Sequence, residues 1–409
     1  MKKSIVQGSV FLFLLYLLWY AEAFDTIAIF LYGGTILVMG STAYYMNGRK
    51  WSELRLPSGL PWWVLFGVYA LLTGFVVATD RTMLISSLVT FFSFLIVIAC
   101  ISFVAYGEGQ LDWLLKQIVA ISIVCALYTL FRGFDYYNGV IVRTMGPGNN
   151  PNTLGVQMIF GTFCLLYISR PLLKALLRNA VPMALFAYVI VLTGSKKALL
   201  AEAILIFIWV IALFRGMKNA ESVGRRLCAY GILVLCAAAI AFYFVKYYIN
   251  TASFARMQTL NTSGSTATRT DMYREAFLLF KRNPIFGVGY NQFRVVSSFG
   301  TYSHSTYAEL IADTGVVGTL IFIYPILLTG KKLLVKVSSN VKYRQITLIS
   351  LYIVEIFFGA ANIFFYDFTH LLIWTVVFFE TGCFIRKNSI NGGKYGKVKH
   401  FSKTAEDAI

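Results

Sequence analysis

Apolar positions in this chain come in long blocks rather than in the alternating pattern of a soluble sheet. A helix needs about 20 apolar residues to cross a bilayer. Twelve runs approach that length, near 5–21, 24–46, 62–79, 83–106, 111–131, 152–169, 180–194, 197–214, 227–247, 305–328, 345–366 and 368–385. The seventh is the shortest, opening near Pro182 and closing at the Thr193-Gly194-Ser195 break. No internal repeat of solenoid length stands out. The pattern predicts an all-α, polytopic membrane helix bundle of about 12 transmembrane helices. It forms one integral membrane domain over 1–409, with a long loop at 248–304 carrying short helices and a basic tail at 386–409.

Composition agrees. Of 409 residues, 58% are hydrophobic and 13% charged, and the mean hydropathy is +0.69. Soluble domains carry about 25% charged residues. That deficit excludes a soluble enzyme, a disordered chain and a disulfide scaffold. The net charge of +18 would point to nucleic acid on a soluble protein. Here the basic residues fall in alternate links, beginning with Lys2 and Lys3, then Arg49, Lys50 and Arg55, and ending in the tail. The positive-inside rule reads this as orientation. Both termini are then cytoplasmic, and no nucleic-acid partner is expected. The 107–112 link departs from the alternation, with Glu108 and Asp112. Ala21-Glu22-Ala23 has the form of a signal-peptide cleavage site, but a second apolar run follows at once, so a retained first span is expected. The six cysteines lie in or beside apolar runs with no CxxC pair and read as small buried hydrophobes. Three scattered histidines are too few for a His-rich metal site.

Three outer segments are richer than a link requires: 132–151, the Ser195-Lys196-Lys197 turn, and 248–303. The long loop holds six basic residues against Asp271 and Glu275. Two readings stand, a solvated charged face or an anion site for a diphosphate or acidic sugar, since guanidinium groups bind phosphate oxygens in bidentate fashion. Within the loop, 269–282 reads as an amphipathic helix with Tyr273, Phe277 and Phe280 on one stripe. Thr268 and Asp271 would cap it, and Asn283-Pro284 would end it. GVGYNQF at 287–293 reads as a tight turn, because its glycines neither follow a strand nor open a helix. Thr306 to Glu309 has the form of a capping box. His304 would then lie just before a helix, either merely solvated or facing a substrate. Asp313 lies one turn beyond Glu309 as a supporting partner, and Gly315 and Gly318 would permit close helix packing. Glu202 and Glu355, costly in lipid, should face the protein interior, with no base evidently paired to Glu355.

The run from Arg269 through NPIFGVGYNQF to SHSTYAELIADTGVVG resembles the signature region of the O-antigen ligase and O-antigen polymerase family. That family shows Arg, three residues and an aromatic, then PLFGVG and a later Phe, then His-Asn-x-Tyr and Glu-x-Gly-x-x-Gly. Tyr273 takes the aromatic place, and His304 and Tyr307 match the His and Tyr. Ser305 stands where Asn is usual, and Asp313 where Glu is usual. RTMGPGNNPNTLG at 143–155 resembles the family's Arg…Asn-Pro-Asn segment. LTGSKKALL at 192–200 resembles its Ser-Arg-Gly motif, with Lys196 for Arg and Lys197 for Gly. Lysine keeps the charge but loses the bidentate fork.

The resemblance implies a glycosyltransferase whose donor is a glycan on a polyprenyl diphosphate, used on the outer side of the bacterial cytoplasmic membrane. An acceptor hydroxyl attacks the anomeric carbon and polyprenyl diphosphate leaves. His304 is the candidate base. Arg269, Lys196 and Arg143 are the candidate diphosphate-binding cations, with Arg274, Lys197, Tyr307 and Asp313 in support. No cofactor and no metal are expected, and transfer should be inverting. The acceptor is a glycan or a lipid. A surface-polysaccharide polymerase is favoured over a ligase acting on a lipid core or a protein. Chain-length regulator or flippase partners fit such an enzyme. A polysaccharide transporter or a structural membrane protein are the competing classes.

Overall fold

A computed structural model describes residues 2–19, 27–48, 56–106, 111–132, 136–137, 140–141, 144, 146, 150–169, 173–220, 231, 264–334 and 342–403. The first five helices are α1 (Lys2–Trp19), α2 (Ile27–Met46), α3 (Leu60–Val77), α4 (Arg81–Tyr106) and α5 (Asp112–Phe131). A two-residue antiparallel hairpin follows, β1 (Tyr136–Tyr137) and β2 (Val140–Ile141), with Tyr136 opposite Ile141. Then come α6 (Pro151–Ile168), α7 (Leu173–Thr193), α8 (Lys196–Ala220), α9 (Gly264–Arg282), α10 (Phe293–Val296) and α11 (Thr306–Leu333). The described chain ends with α12 (Lys342–Gly359), a 3-10 turn at Phe364–Tyr366, and α13 (Phe368–Lys403).

Among the described residues six helices are long and apolar enough to cross a membrane, lying in Leu60–Val77, Arg81–Ala105, Asp112–Phe131, Pro151–Ile168, Thr306–Leu333 and Phe368–Ile385. The described residues form a helical membrane chain, with one small hairpin. The predicted run at 227–247 apart from residue 231, the first-span junction at Ala21-Glu22-Ala23, Cys228 and Cys236 lie outside the described residues. Cys100, Cys125, Cys164 and Cys383 are buried.

Local chemistry sets several helix ends, and some differ from expectation. Asn150 caps α6 by accepting from Asn152 N at 2.9 Å, with Pro151 behind it at the first helical position. Pro182 lies inside α7 rather than at its start, nine residues after Leu173. The helix of the long loop begins at Gly264, so Thr268 and Asp271 are interior residues and not its cap. Its buried stripe is Met272, Ala276 and Leu279, one position off the expected Tyr273, Phe277 and Phe280. The small Ala276 lets α9 approach Ala312 of α11 closely, while Phe277 stays half exposed. Asn283-Pro284 does end the helix. The apolar run at 345–366 is not one helix: α12 stops at Gly359 and the chain turns through 360–367 before α13 begins.

The bundle closes around an aromatic centre. Phe66 of α3 meets Phe91 of α4, Phe322 of α11, Tyr290 of the GVGYNQF turn and Phe365 of the 3-10 turn, with ring centroids 5.0–6.1 Å apart. Apolar side chains such as Val68, Leu72 and Val76 on α3, and Leu320 and Leu327 on α11, point outward. An apolar exterior over an aromatic interior suits a lipid surround.

The deepest constraint lies in α11. Gly315 leaves the helical region (φ 60, ψ −166) and breaks the helix. The backbone groups freed there pair with the turn at 284–289. Val288 N donates to Ala312 O at 2.9 Å, Gly289 N to Asp313 O at 2.8 Å, and Val316 N to Pro284 O at 2.9 Å. Two glycines permit the approach: a Cβ on Gly287 would lie 2.4 Å from Asp313 C, and one on Gly315 2.3 Å from Ile285 O. Thus Gly315 admits a loop backbone, while Gly318 packs against Thr314 and Tyr69. Gly300 also has positive φ (+62) but faces open space. Gly300→Ala should therefore cost only the ~1–2 kcal/mol of a left-handed L-residue. Gly287→Ala should lower thermal stability in detergent clearly more. Equal melting shifts for the two variants would contradict the docking of this turn.

Candidate functional site

A cavity of about 380 Å³ gathers residues from separated parts of the chain. Its polar wall holds Lys197, Arg269, Arg294, His304, Asn362 and Asp367, with Asn150, Asn152 and Thr153 beside them. Its apolar wall holds Leu17, Leu31, Phe94 and Phe368, from α1, α2, α4 and α13. Three helices present their first turns to this space: α6 through Asn152 and Thr153, α8 through Lys197, and α13 through Phe368 and Thr369. Helix N-termini carry partial positive charge and unpaired N–H groups, which favour anions. Asp367 caps the last of them, accepting from Thr369 N at 2.7 Å.

His304 stands immediately before α11. Ser305, not Thr306, is the N-cap, accepting from Ala308 N, so the helix opens one residue earlier than the capping-box reading placed it. Glu309 reaches back to Ser303 N at 2.7 Å and is wholly buried. That bond holds the segment before His304, so Glu309 is structural, but not through the expected capping box: Thr306 N donates to Asn362 O instead. His304 adopts positive φ (60°), uncommon for a side-chain-bearing residue. Its ring lies edge-on to Tyr302, centroids 4.4 Å apart. No described residue hydrogen-bonds either ring nitrogen. Burial, then the charges of Arg269 and Lys197, bring its pKa from the ordinary 6.5 to about 4. The imidazole is therefore neutral and a proton acceptor at neutral pH.

Of the residues proposed from sequence, His304, Arg269 and Lys197 come together. Lys196 does not line the cavity; the next residue on α8 does, because α8 turns about 100° per residue and only one of the two lysines can face inward. Arg143 lies outside the described residues. Arg274 is exposed and away from the cavity. Tyr307 also lies away from it, donating to Ile356 O at 2.7 Å and tying α11 to α12. Asp313 is fully buried behind the site. It accepts from Asn291 N at 2.7 Å, from Phe293 N at 2.8 Å and from Tyr366 Oη at 3.0 Å.

Arg294, one of the six basic residues of the long loop, also lines the cavity although no motif marks it. Its guanidinium lies over the rings of Tyr302 (5.5 Å) and Tyr366 (5.3 Å). Cation–π contact of this kind fixes a planar cation without neutralising it. Asn362 and His370 were also missed. Glu355, expected to lack a paired base, has one: His370 Nδ1 is 2.8 Å from Glu355 Oε2, both side chains fully buried. Glu202, also buried, accepts from Thr162 Oγ1 at 2.8 Å. Both acids face the protein interior as predicted. Among the described residues no group of three or more His, Cys, Asp or Glu side chains is placed to hold a metal.

Residues 181–323, about a third of the chain, match the O-antigen ligase family model. The match supports the O-antigen ligase and polymerase family assignment that the motifs suggested, and it includes Lys197, Arg269, Arg294, His304 and Asp313. No curated protein matches the chain significantly.

The electrostatics of His304 are directly measurable. Both burial and its cationic neighbours disfavour the imidazolium, so removing one cation relieves part of the depression. With only three histidines in the chain, His304 is readily assigned by histidine-labelled NMR. It should titrate at about 4 in the wild-type protein and higher in Arg269→Ala. An ordinary value in the wild type, or no rise in the variant, would contradict this environment.

Proposed function

We propose that this O-antigen ligase and polymerase-type membrane glycosyltransferase is a surface-polysaccharide polymerase. Its family implies lipid-linked glycan substrates. The donor in this reading is an oligosaccharide on polyprenyl diphosphate, used on the outer face of the bacterial cytoplasmic membrane. Both termini are inside and twelve spans cross the bilayer. One observation carries the reading: a neutral histidine and three cations, against the single carboxylate of Asp367, share a cavity that apolar side chains also line.

Each part answers a chemical need. The diphosphate needs positive charge, which Lys197, Arg269 and Arg294 supply together with the helix N-termini. The prenyl chain fits the wall of Leu17, Leu31, Phe94 and Phe368. The acceptor hydroxyl needs a base, and His304 stands beside the cations. In the reaction the hydroxyl oxygen bonds to the anomeric carbon as the bond to the diphosphate oxygen breaks. The hydroxyl proton goes to His304 and polyprenyl diphosphate departs. Direct displacement inverts the anomeric configuration. Fixed cations take the role that a metal ion serves elsewhere, so transfer is proposed to be metal-independent. Donor charge also offsets Arg269 and Lys197, raising the basicity of His304 when its proton acceptance is needed.

A ligase, which would transfer the glycan onto a lipid core or a protein, is the alternative reading. A purified lipid-linked repeat unit supplied alone discriminates the two. Elongation without another acceptor supports the polymerase, and transfer only onto a lipid core or a protein supports the ligase.

His304→Ala should insert normally and lose at least ~10²-fold in transfer rate; near-normal product from a well-expressed variant removes the base assignment. Arg269→Ala should weaken donor use, and Arg269→Lys should rescue it only in part, because lysine lacks the fork. Product of retained configuration from a donor of known anomeric form would exclude direct displacement.

A further inference from the structure

Behind the polar wall a chain of hydrogen bonds runs from the buried interior to the cavity. Lys197 Nζ donates to Asn362 Oδ1, and to Ala361 O at 3.1 Å. Asn362 Nδ2 is 2.8 Å from His370 Nε2. His370 Nδ1 is 2.8 Å from Glu355 Oε2. These links join α8, the 360–367 turn, α13 and α12.

Donor chemistry gives the chain one direction. An ammonium only donates, so Asn362 must turn its carbonyl to Lys197 and its amide NH2 to His370. His370 Nε2 must then accept, which places the ring proton on Nδ1, directed at the Glu355 carboxylate. The Asn362 backbone is held as well. Its carbonyl accepts from Thr306 N at 2.8 Å and Thr306 Oγ1 at 2.6 Å, and its N–H donates to Phe358 O at 2.8 Å. The ring of His370 lies against Phe364 and Phe358, at 5.0 and 5.9 Å between centroids. Asn362 therefore has little freedom to follow Lys197 elsewhere.

We propose that Glu355, His370 and Asn362 are positioning residues, a one-directional hydrogen-bonded chain that fixes the Lys197 ammonium at the wall of the cavity where the donor diphosphate binds. The inference rests on the diphosphate reading of that cavity. Glu355 accepts from His370 Nδ1 at the buried end of the chain, and His370 and Asn362 carry that orientation outward to the ammonium. A long flexible lysine, lacking the fixed fork of arginine, gains from such a hold.

Binding of polyprenyl diphosphate, the leaving product, to purified full-length protein in detergent tests this without knowledge of the sugar. Lys197→Ala should weaken Kd by about tenfold, the loss of one charge-assisted contact. His370→Leu should weaken it by a similar factor. His370→Gln should stay within about threefold of wild type, because a glutamine amide can accept from Asn362 and donate to Glu355 in the same direction. The double variant Lys197→Ala/His370→Leu should bind no more weakly than Lys197→Ala alone, since residues acting through one another do not add. Additive losses would overturn the chain, as would a His370→Gln no better than His370→Leu. If His370→Leu does not fold, Asn362→Leu takes its place in the same cycle with the same criterion of non-additivity. Unchanged binding in Lys197→Ala with a loss in Arg269→Ala overturns the chain and leaves the diphosphate reading standing. Unchanged binding in both variants removes that reading too.

Discussion

A broken helix must find new partners for its backbone, most of all where no water can supply them. The break at Gly315 in α11 creates that demand, and the turn at 284–289 meets it strand-fashion from both sides of the gap. The site's arrangement depends on this exchange. Docking the turn puts Tyr290 in the aromatic centre beside Phe66 and brings the amides of Asn291 and Phe293 onto Asp313. Asp313 in turn takes the hydroxyl of Tyr366, whose ring carries Arg294. A buried acid two links from the cavity thus holds a cation that it never touches. The chain of dependence runs from two glycines, through one carboxylate, to a guanidinium at the cavity wall.

The cavity places a proton acceptor among positive charges, an arrangement that works against itself in the empty state. Arg269 and Lys197 depress the basicity of His304, and so does its burial. On the proposed reading this conflict is resolved by the substrate, whose diphosphate offsets the same charges that recruit it. The base is then weak when the site is empty and stronger when it is filled, which restricts proton transfer to the bound state.

Much of this was legible in the residues, and the misses have physical causes. Long apolar blocks announced the helices, and GVG read as a tight turn and TGVVG as a close helix contact, although not that the two would meet each other. His304 was readable because a polar residue before a cap must lie at the helix mouth. The one-position shift of the α9 stripe was not readable, since in an apolar surround an aromatic such as Phe277 has no need to be inside. The turn at 360–367 was hidden for a related reason. Ile363, Phe364 and Phe365 are as apolar as any span, so hydropathy carried the run past the point where α12 ends. That turn holds Asn362, and missing it meant missing the partner of His370. The choice between Lys196 and Lys197 depended on helix phase, which a pair of adjacent lysines does not encode.

Three helices begin at the cavity, and that has a consequence apart from any side chain. Backbone dipoles exchange no protons and cannot be altered by substituting an arginine. The share of positive potential contributed by the first turns of α6 and α8 therefore persists at every pH at which the fold survives, while that of α13 is met by the Asp367 carboxylate that caps it. It also persists in every variant that leaves those turns intact. Side-chain cations sit on top of that permanent field, so replacing any one of them lowers the positive potential of the site but leaves the backbone's share in place.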